Sequence, residues 1–279
     1  MSRTRNNRAG GFTLIELLVV IGIVGILLGI LAPALRGARG AALQTVSLAN
    51  VRSVGQVMAA YAQQHGRHPY RGLGEYPPEL PAMFDGFEPD PNVAAYVWYP
   101  GGVVLATTDH FEQAWLWPSV LVPLEEWPGH WETWVSPRKD RPLPTVEDFT
   151  LSQDNPVRDQ ISIRYSHAFV ARPELFSAAR RGNNPDAWVR LLRPTRPDEV
   201  RYPASKVMLW DNDLAYLTGT PVAREDGLLD APTPMAFADG HGAVRNPTEA
   251  MEPDGNPLAE AGATRLADTK DGVLGRDYE

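Results

Sequence analysis

Residues 10–35 read GGFTLIELLVVIGIVGILLGILAPAL, and the architecture of the chain follows from them. Between Phe12 and Leu35 lie 24 residues with a single charge, that of Glu16. A helix rises about 1.5 Å per residue, so this run is about 36 Å long and can cross a hydrocarbon core of about 30 Å. The stretch therefore predicts a transmembrane helix over residues 12–35.

The leader, residues 1–11, is basic: it contains Arg3, Arg5 and Arg8 and no acid. Positive flanks stay in the cytoplasm, so the rest of the chain is expected beyond the membrane. An ordinary secretory signal is the alternative, but its apolar region spans about 7–15 residues and ends at a small-residue cleavage site. The run here is longer, and its exit at residues 31–34, LAPA, is a poor cleavage site.

Glu16 is the unusual residue of this span. A carboxylate inside a membrane helix costs at least about 2.5 kcal/mol and is normally paired. The sequence places no cation between residues 12 and 35. A partner for Glu16 must therefore come from elsewhere.

The segment GGFTLIE, residues 10–16, resembles the class III signal of type IV pilins and type II secretion pseudopilins. The resemblance implies that a prepilin peptidase cuts between Gly11 and Phe12 and then N-methylates Phe12. It also implies that Glu16 pairs with the Phe12 amine of a neighbouring subunit, which neutralises both charges in an apolar filament core. Pro33 is expected to kink the helix, because proline removes one helix hydrogen bond.

The same resemblance implies a non-enzymatic role as a structural subunit of a type II secretion or type IV pilus-like filament. The implied partners are the prepilin peptidase, other subunits, an inner-membrane assembly platform and membrane lipid. The implied location is the bacterial inner membrane, single-pass, with the N-terminus cytoplasmic and the head periplasmic. A net charge of −8 argues against nucleic-acid binding. The absence of cysteine excludes disulfides, thiolate metal sites and a cysteine nucleophile.

Residues 36–65 continue the helix with an amphipathic pattern. Apolar residues recur at three- and four-residue steps from Leu43 to Tyr61, and Gly66 is suited to end the helix. Asn50–Gln56 has the pattern N-x-x-x-x-G-Q, which is similar to a segment of pseudopilin-like proteins of planctomycete-type bacteria. Asp239-Gly240 resembles their terminal Asp-Gly motif, although Leu229 stands where those proteins have a histidine.

The head, residues 66–245, is predicted to be rich in β-strands, which gives an α+β, pilin-like fold: a long N-terminal helix on an antiparallel sheet. The strand candidates are residues 96–99, 102–106, 161–165, 206–210, 235–238 and 241–244. Asp239-Gly240 predicts a type I′ turn between the last two. Residues 66–145 form an irregular Pro/Trp-rich insertion. The tail, residues 246–279, has eight acids, three bases and no periodicity, which predicts that it is disordered or loosely attached.

Motifs for catalysis are missing from the sequence: there is no G-x-S-x-G, H-E-x-x-H or Walker A pattern. A membrane-anchored hydrolase is therefore the weakest alternative.

Asp211 and Asp213 follow a strand candidate, and with Asp239 they are compatible with a Ca²⁺ site, although Asp and Asn also favour turns.

A filament-displayed adhesin or polymer-binding module is the second alternative. Five tryptophans of the insertion, residues 115, 117, 127, 131 and 134, could stack on sugars if they shared an exposed face. Packing inside the head is the competing interpretation of the same residues. Their exposure distinguishes the two.

Overall fold

A computed structural model describes residues 13–70, 95–99, 103–107, 111, 114, 117–122, 126–137, 161–217, 229–259 and 263–279. For residues 95–99, 103–107, 128, 185 and 186 only the backbone is described. The leader, residues 1–11, and Phe12 lie outside the described residues, as does much of the Pro/Trp-rich insertion. The chain divides into two units, residues 1–42 and 43–279, and each is considered by itself.

Helix α1 runs from Leu14 to His65 as one element of 52 residues. It ends where the sequence predicts, because Gly66 adopts the left-handed conformation, with φ of 67°. Helix α1 and the sheet described next confirm the predicted α+β, pilin-like fold.

The described residues contain six strands: β1 (Ala95–Tyr99), β2 (Val103–Thr107), β3 (Ile163–Tyr165), β4 (Val207–Asp211), β5 (Thr233–Phe237) and β6 (Gly242–Arg245). Each begins and ends within two residues of its predicted position. β1 and β2 pair as an antiparallel hairpin, and the other four form a separate antiparallel sheet of order β3-β4-β5-β6.

The turn between β5 and β6 is not the predicted type I′. Gly240 has a positive φ of 88°, whereas Asp239 does not, and type I′ requires both. Phe237 O instead accepts a hydrogen bond from the Gly240 N–H at 2.9 Å, and the Phe237 N–H donates to His241 O at 2.9 Å. Residues 238–240 therefore form a three-residue loop that ends with a glycine of positive φ. Such loops are the next most common hairpin connection after two-residue loops.

One face of the sheet packs against α1. Val51, Val54 and Met58 of the helix share a buried cluster with Met208 and with other residues of β3, β4 and β5. The approach is close at Gly55, where a Cβ would lie 3.1 Å from the Cβ of Ala236. A helix without a side chain at that point can lie directly on the sheet.

The opposite face of the sheet is covered by the tail, which differs from the predicted disorder. Leu266 and Tyr278 are buried in a cluster with Trp210 and Phe237, which point away from α1. Every residue of β4 and β5 is buried as a result. The signal was present in the strands, since a run such as VMLW has apolar residues for both faces and must be covered on both.

Candidate functional site

The start of α1 is built by Thr13 and Glu16, which bond each other reciprocally. The N–H and the hydroxyl of Thr13 donate to Glu16 Oε2 at 2.9 and 2.8 Å, and the Glu16 N–H reaches Thr13 Oγ1 at 3.3 Å. This is a capping box, in which two unpaired N–H groups of the first turn are satisfied. The T-x-x-E spacing is the sequence signal for it, and sequence reasoning missed the role of Thr13. Gly11 and Phe12 lie outside the described residues.

The apolar part of α1 is uncovered. Large apolar side chains from Leu14 to Leu35 are exposed, many by more than half of their area. Within the described part of the chain, α1 is the one helix long and apolar enough to cross a membrane, and none of its most apolar stretch is buried. Such a surface is far larger than a soluble monomer exposes, so it must face lipid or other protein.

Pro33 lies inside α1, which is continuous through it. Proline has no N–H to donate to the carbonyl of Gly29, one turn earlier, so the helix is weakened at this depth. A kink at Pro33 stays a prediction.

The second half of α1 is fastened to the head at Asp211, the last residue of β4. Asp211 Oδ2 accepts hydrogen bonds from Ser47 Oγ at 2.5 Å and Ser136 Oγ at 2.8 Å. Its Oδ1 accepts from the N–H groups of Asp213 and Leu214 at 3.1 and 3.3 Å. Burial raises the pKa of Asp211, and the four hydrogen bonds oppose that rise. Sequence reasoning missed Ser47 and Ser136, because both lie far from Asp211 along the chain.

The three carboxylates of the candidate Ca²⁺ site are not brought together. β4 and β5 are antiparallel, so Asp211, at the end of β4, lies beside the start of β5, whereas Asp239 follows the end of β5. Asp239 instead accepts from the His241 N–H at 3.0 Å and contacts its ring nitrogen at 2.6 Å. Among the described residues, no group of three His, Cys, Asp or Glu side chains could hold a metal ion. This geometry does not support a site shared by Asp211, Asp213 and Asp239.

Four tryptophans of the insertion pack inside the head. Trp117, Trp127, Trp131 and Trp134 are each at most 3% exposed. The rings of Trp117 and Trp127 meet that of Trp134 edge to face, each with centroids 5.5 Å apart. Trp115 lies outside the described residues. Four of the five rings are therefore core residues and cannot form an external stacking face.

Comparison with known proteins identifies the N-terminal segment. Residues 6–32 match the family model described as the prokaryotic N-terminal methylation motif. That motif is the prepilin-type cleavage and methylation signal of type IV pilins and pseudopilins, so the predicted resemblance is confirmed. No curated protein and no solved structure matches the chain. The match covers most of the leader and of the span and none of the head.

Proposed function

We propose that this chain is a pseudopilin-type structural subunit of a type II secretion or type IV pilus-like filament. A prepilin peptidase cuts it between Gly11 and Phe12 and methylates Phe12, and the subunit then assembles through α1. Its role is mechanical rather than catalytic. The methylation motif at residues 6–32 supports the processing step.

The uncovered apolar half of α1 is the observation that carries the proposal. In the membrane, lipid covers these side chains, and in a filament the same side chains of neighbouring subunits replace the lipid. Exchange of lipid for protein contacts costs little, because both surroundings are apolar. The single span therefore serves as an anchor before assembly and as the packing surface after it.

Glu16 gives the assembly its register. In the isolated chain its carboxylate caps α1 through Thr13, at 2.9 and 2.8 Å. Cleavage before Phe12 creates a new α-amine close to the cap, at nearly the same depth in the membrane. In the filament, the amine of one subunit pairs with the Glu16 carboxylate of the next, and no uncompensated charge remains in the apolar core.

The proposed orientation follows from the charges of the leader. Arg3, Arg5 and Arg8 hold the N-terminus in the cytoplasm, which places the head on the periplasmic side of the inner membrane. The partners are then the prepilin peptidase, the assembly platform in the membrane and other subunits. Burial of four insertion tryptophans disfavours the adhesin alternative, since these rings are unavailable to a polymer.

N-terminal mass spectrometry of the mature protein, purified from a host with a prepilin peptidase, tests the proposal. The expected N-terminus is N-methylated Phe12. An intact Met1, or a cut after Ala34, would contradict the proposal.

A Glu16→Val variant tests the assembly step separately. It should be processed and membrane-bound like the wild type but poorly incorporated into filaments, because the neighbouring amine then lacks its counter-charge. Glu126→Val, the same substitution at an exposed position of the head, is the matched control and should assemble normally. Normal incorporation of Glu16→Val would show that the charge pair does not set the register.

A further inference from the structure

A buried amine and a buried carboxyl group meet where β4 begins. The side chain of Lys206 is completely buried, and Asp277, near the end of the chain, is 1% exposed. Lys206 Nζ lies 3.2 Å from Asp277 Oδ2 and also contacts the hydroxyl of Thr269. The ring of Phe169 lies beneath the amine, with its centroid 5.8 Å from Nζ.

The carboxyl group of Asp277 is held from both sides. The N–H of Val207 donates to Oδ2 at 2.7 Å, and the hydroxyl of Thr269 donates to Oδ1. The backbone of Asp277 is fixed as well, because its N–H donates to Ser205 O at 2.9 Å. The amine and the carboxyl carbon are thus kept adjacent by backbone hydrogen bonds on each side of Lys206.

The ionic form of this pair is expensive at such a depth. Burial lowers the pKa of Lys206, and the charges of Asp277 and Asp268 oppose that effect only in part. Lys206 Nζ donates a hydrogen bond to the Thr269 hydroxyl, which in turn donates to Asp277 Oδ1, so a path exists by which the amine can pass a proton to the carboxylate. The neutral amine that results is the form that attacks a carboxyl carbon. An amide would remove both charges from the apolar interior, which an ion pair cannot do.

We propose that Lys206 and Asp277 form an intramolecular amide cross-link between Nζ and Cγ. The neutral amine attacks Cγ, and a C–N bond forms while Oδ2 gains negative charge beside the Val207 N–H. Oδ1 already carries the first proton passed on by the amine, and the hydroxyl of Thr269 now accepts a second proton from the nitrogen and delivers it to Oδ1. The bond from Cγ to Oδ1 then breaks, water leaves, and Oδ2 remains as the amide oxygen, which still accepts the hydrogen bond from the Val207 N–H. The reaction uses no oxidant and no other reactant.

The cross-link would lock the tail onto the sheet. The two residues are 71 positions apart, and between them lie β4, β5, β6 and the segment that carries Leu266. A covalent closure of this length restricts the unfolded chain and so favours the folded one. It also keeps the tail attached to the sheet face that contains Trp210 and Phe237 when mechanical force acts on the subunit.

Mass spectrometry of the purified full chain in detergent tests the cross-link. Intact wild-type protein is expected to be lighter, by one water molecule, than its own N-terminus and sequence require. After trypsin, cleavage at Lys206 should be blocked, and residues 202–224 should appear joined to residues 277–279. A wild-type mass without the loss of water, or cleavage at Lys206, would overturn the proposal.

One variant distinguishes the amide from a different loss of water, and a second tests the role of the Thr269 hydroxyl. An aspartate can also lose water by forming a cyclic imide with its own backbone, so Lys206→Arg is the deciding control: it must regain the full mass. A loss of water that persists in Lys206→Arg overturns the proposal.

Thr269→Val keeps the shape of the side chain and should form the cross-link more slowly. An unchanged rate in Thr269→Val would remove the hydroxyl from the mechanism and overturn the proton relay.

Discussion

His68 makes the head sensitive to acid. Its side chain lies just beyond α1 with 4% of the residue exposed, and neither ring nitrogen has a hydrogen-bond partner among the described residues. The ring stands edge-on to Phe169, with centroids 4.7 Å apart. Burial lowers the pKa of His68 to about 4, against a smaller opposing effect of Glu199. The folded head therefore holds His68 neutral at every pH above that value.

The magnitude follows from linkage. Between pH 6.5 and about 4 the unfolded chain binds a proton at His68 and the folded chain does not, so stability falls as the pH is lowered through this range. One pKa unit corresponds to about 1.36 kcal/mol. The displacement from 6.5 to about 4 therefore costs about 3 kcal/mol of unfolding free energy by pH 4. That is a large share of the roughly 5–15 kcal/mol that stabilises a typical domain.

Urea unfolding of the detergent-solubilised chain, followed by tryptophan fluorescence between pH 4 and 7, measures this loss. His68→Phe keeps an aromatic ring beside Phe169 and cannot titrate, so its stability should fall by about 3 kcal/mol less than that of the wild type. His65→Phe is the matched control, because His65 lies exposed at the end of α1 and its ring also meets an aromatic ring, that of Tyr61, with centroids 4.2 Å apart. The quantity compared is the slope of the unfolding free energy with pH. A packing penalty that is the same at every pH therefore does not affect the comparison. Equal slopes for His68→Phe and the wild type would refute the reasoning.

Two further substitutions test how α1 is held on the head. Gly55→Val should destabilise the head by about 1–3 kcal/mol in urea unfolding, because its side chain would be forced onto Ala236, 3.1 Å from the Cβ position. Gly40→Val, on the same helix with no atom within 4 Å of the Cβ position, is its control, and equal losses would contradict close packing at Gly55. Ser47→Ala should cost about 1.5–3 kcal/mol at pH 7, since it removes a hydrogen bond to the buried carboxylate of Asp211. The pKa of Asp211 is raised, so the stability lost in Ser47→Ala should become smaller as the pH falls and Asp211 is protonated. A loss of stability independent of pH would show that Ser47 does not stabilise the ionised form of Asp211.

Local patterns predicted much of this fold. The apolar run and the three- and four-residue spacing predicted α1, and Gly66 predicted its end at His65. Alternation and turn residues predicted all six strands to within two residues. These features succeed because backbone conformation depends mainly on neighbours along the chain. The type of the Asp239-Gly240 turn failed, since it depends on how β5 and β6 are paired across the loop.

The sequence by itself determined the long apolar helix, its single charge and the methylation motif, because each is a property of consecutive residues. Only the tertiary structure decided which distant groups meet. It separated Asp239 from Asp211, buried four tryptophans of the insertion, and brought Ser47 to Asp211 and Asp277 to Lys206. It also placed the tail on the sheet, although the composition of the tail predicts disorder. The physical reason is that strand pairing and the covering of two apolar sheet faces join residues that are far apart along the chain, and local composition carries no information on either.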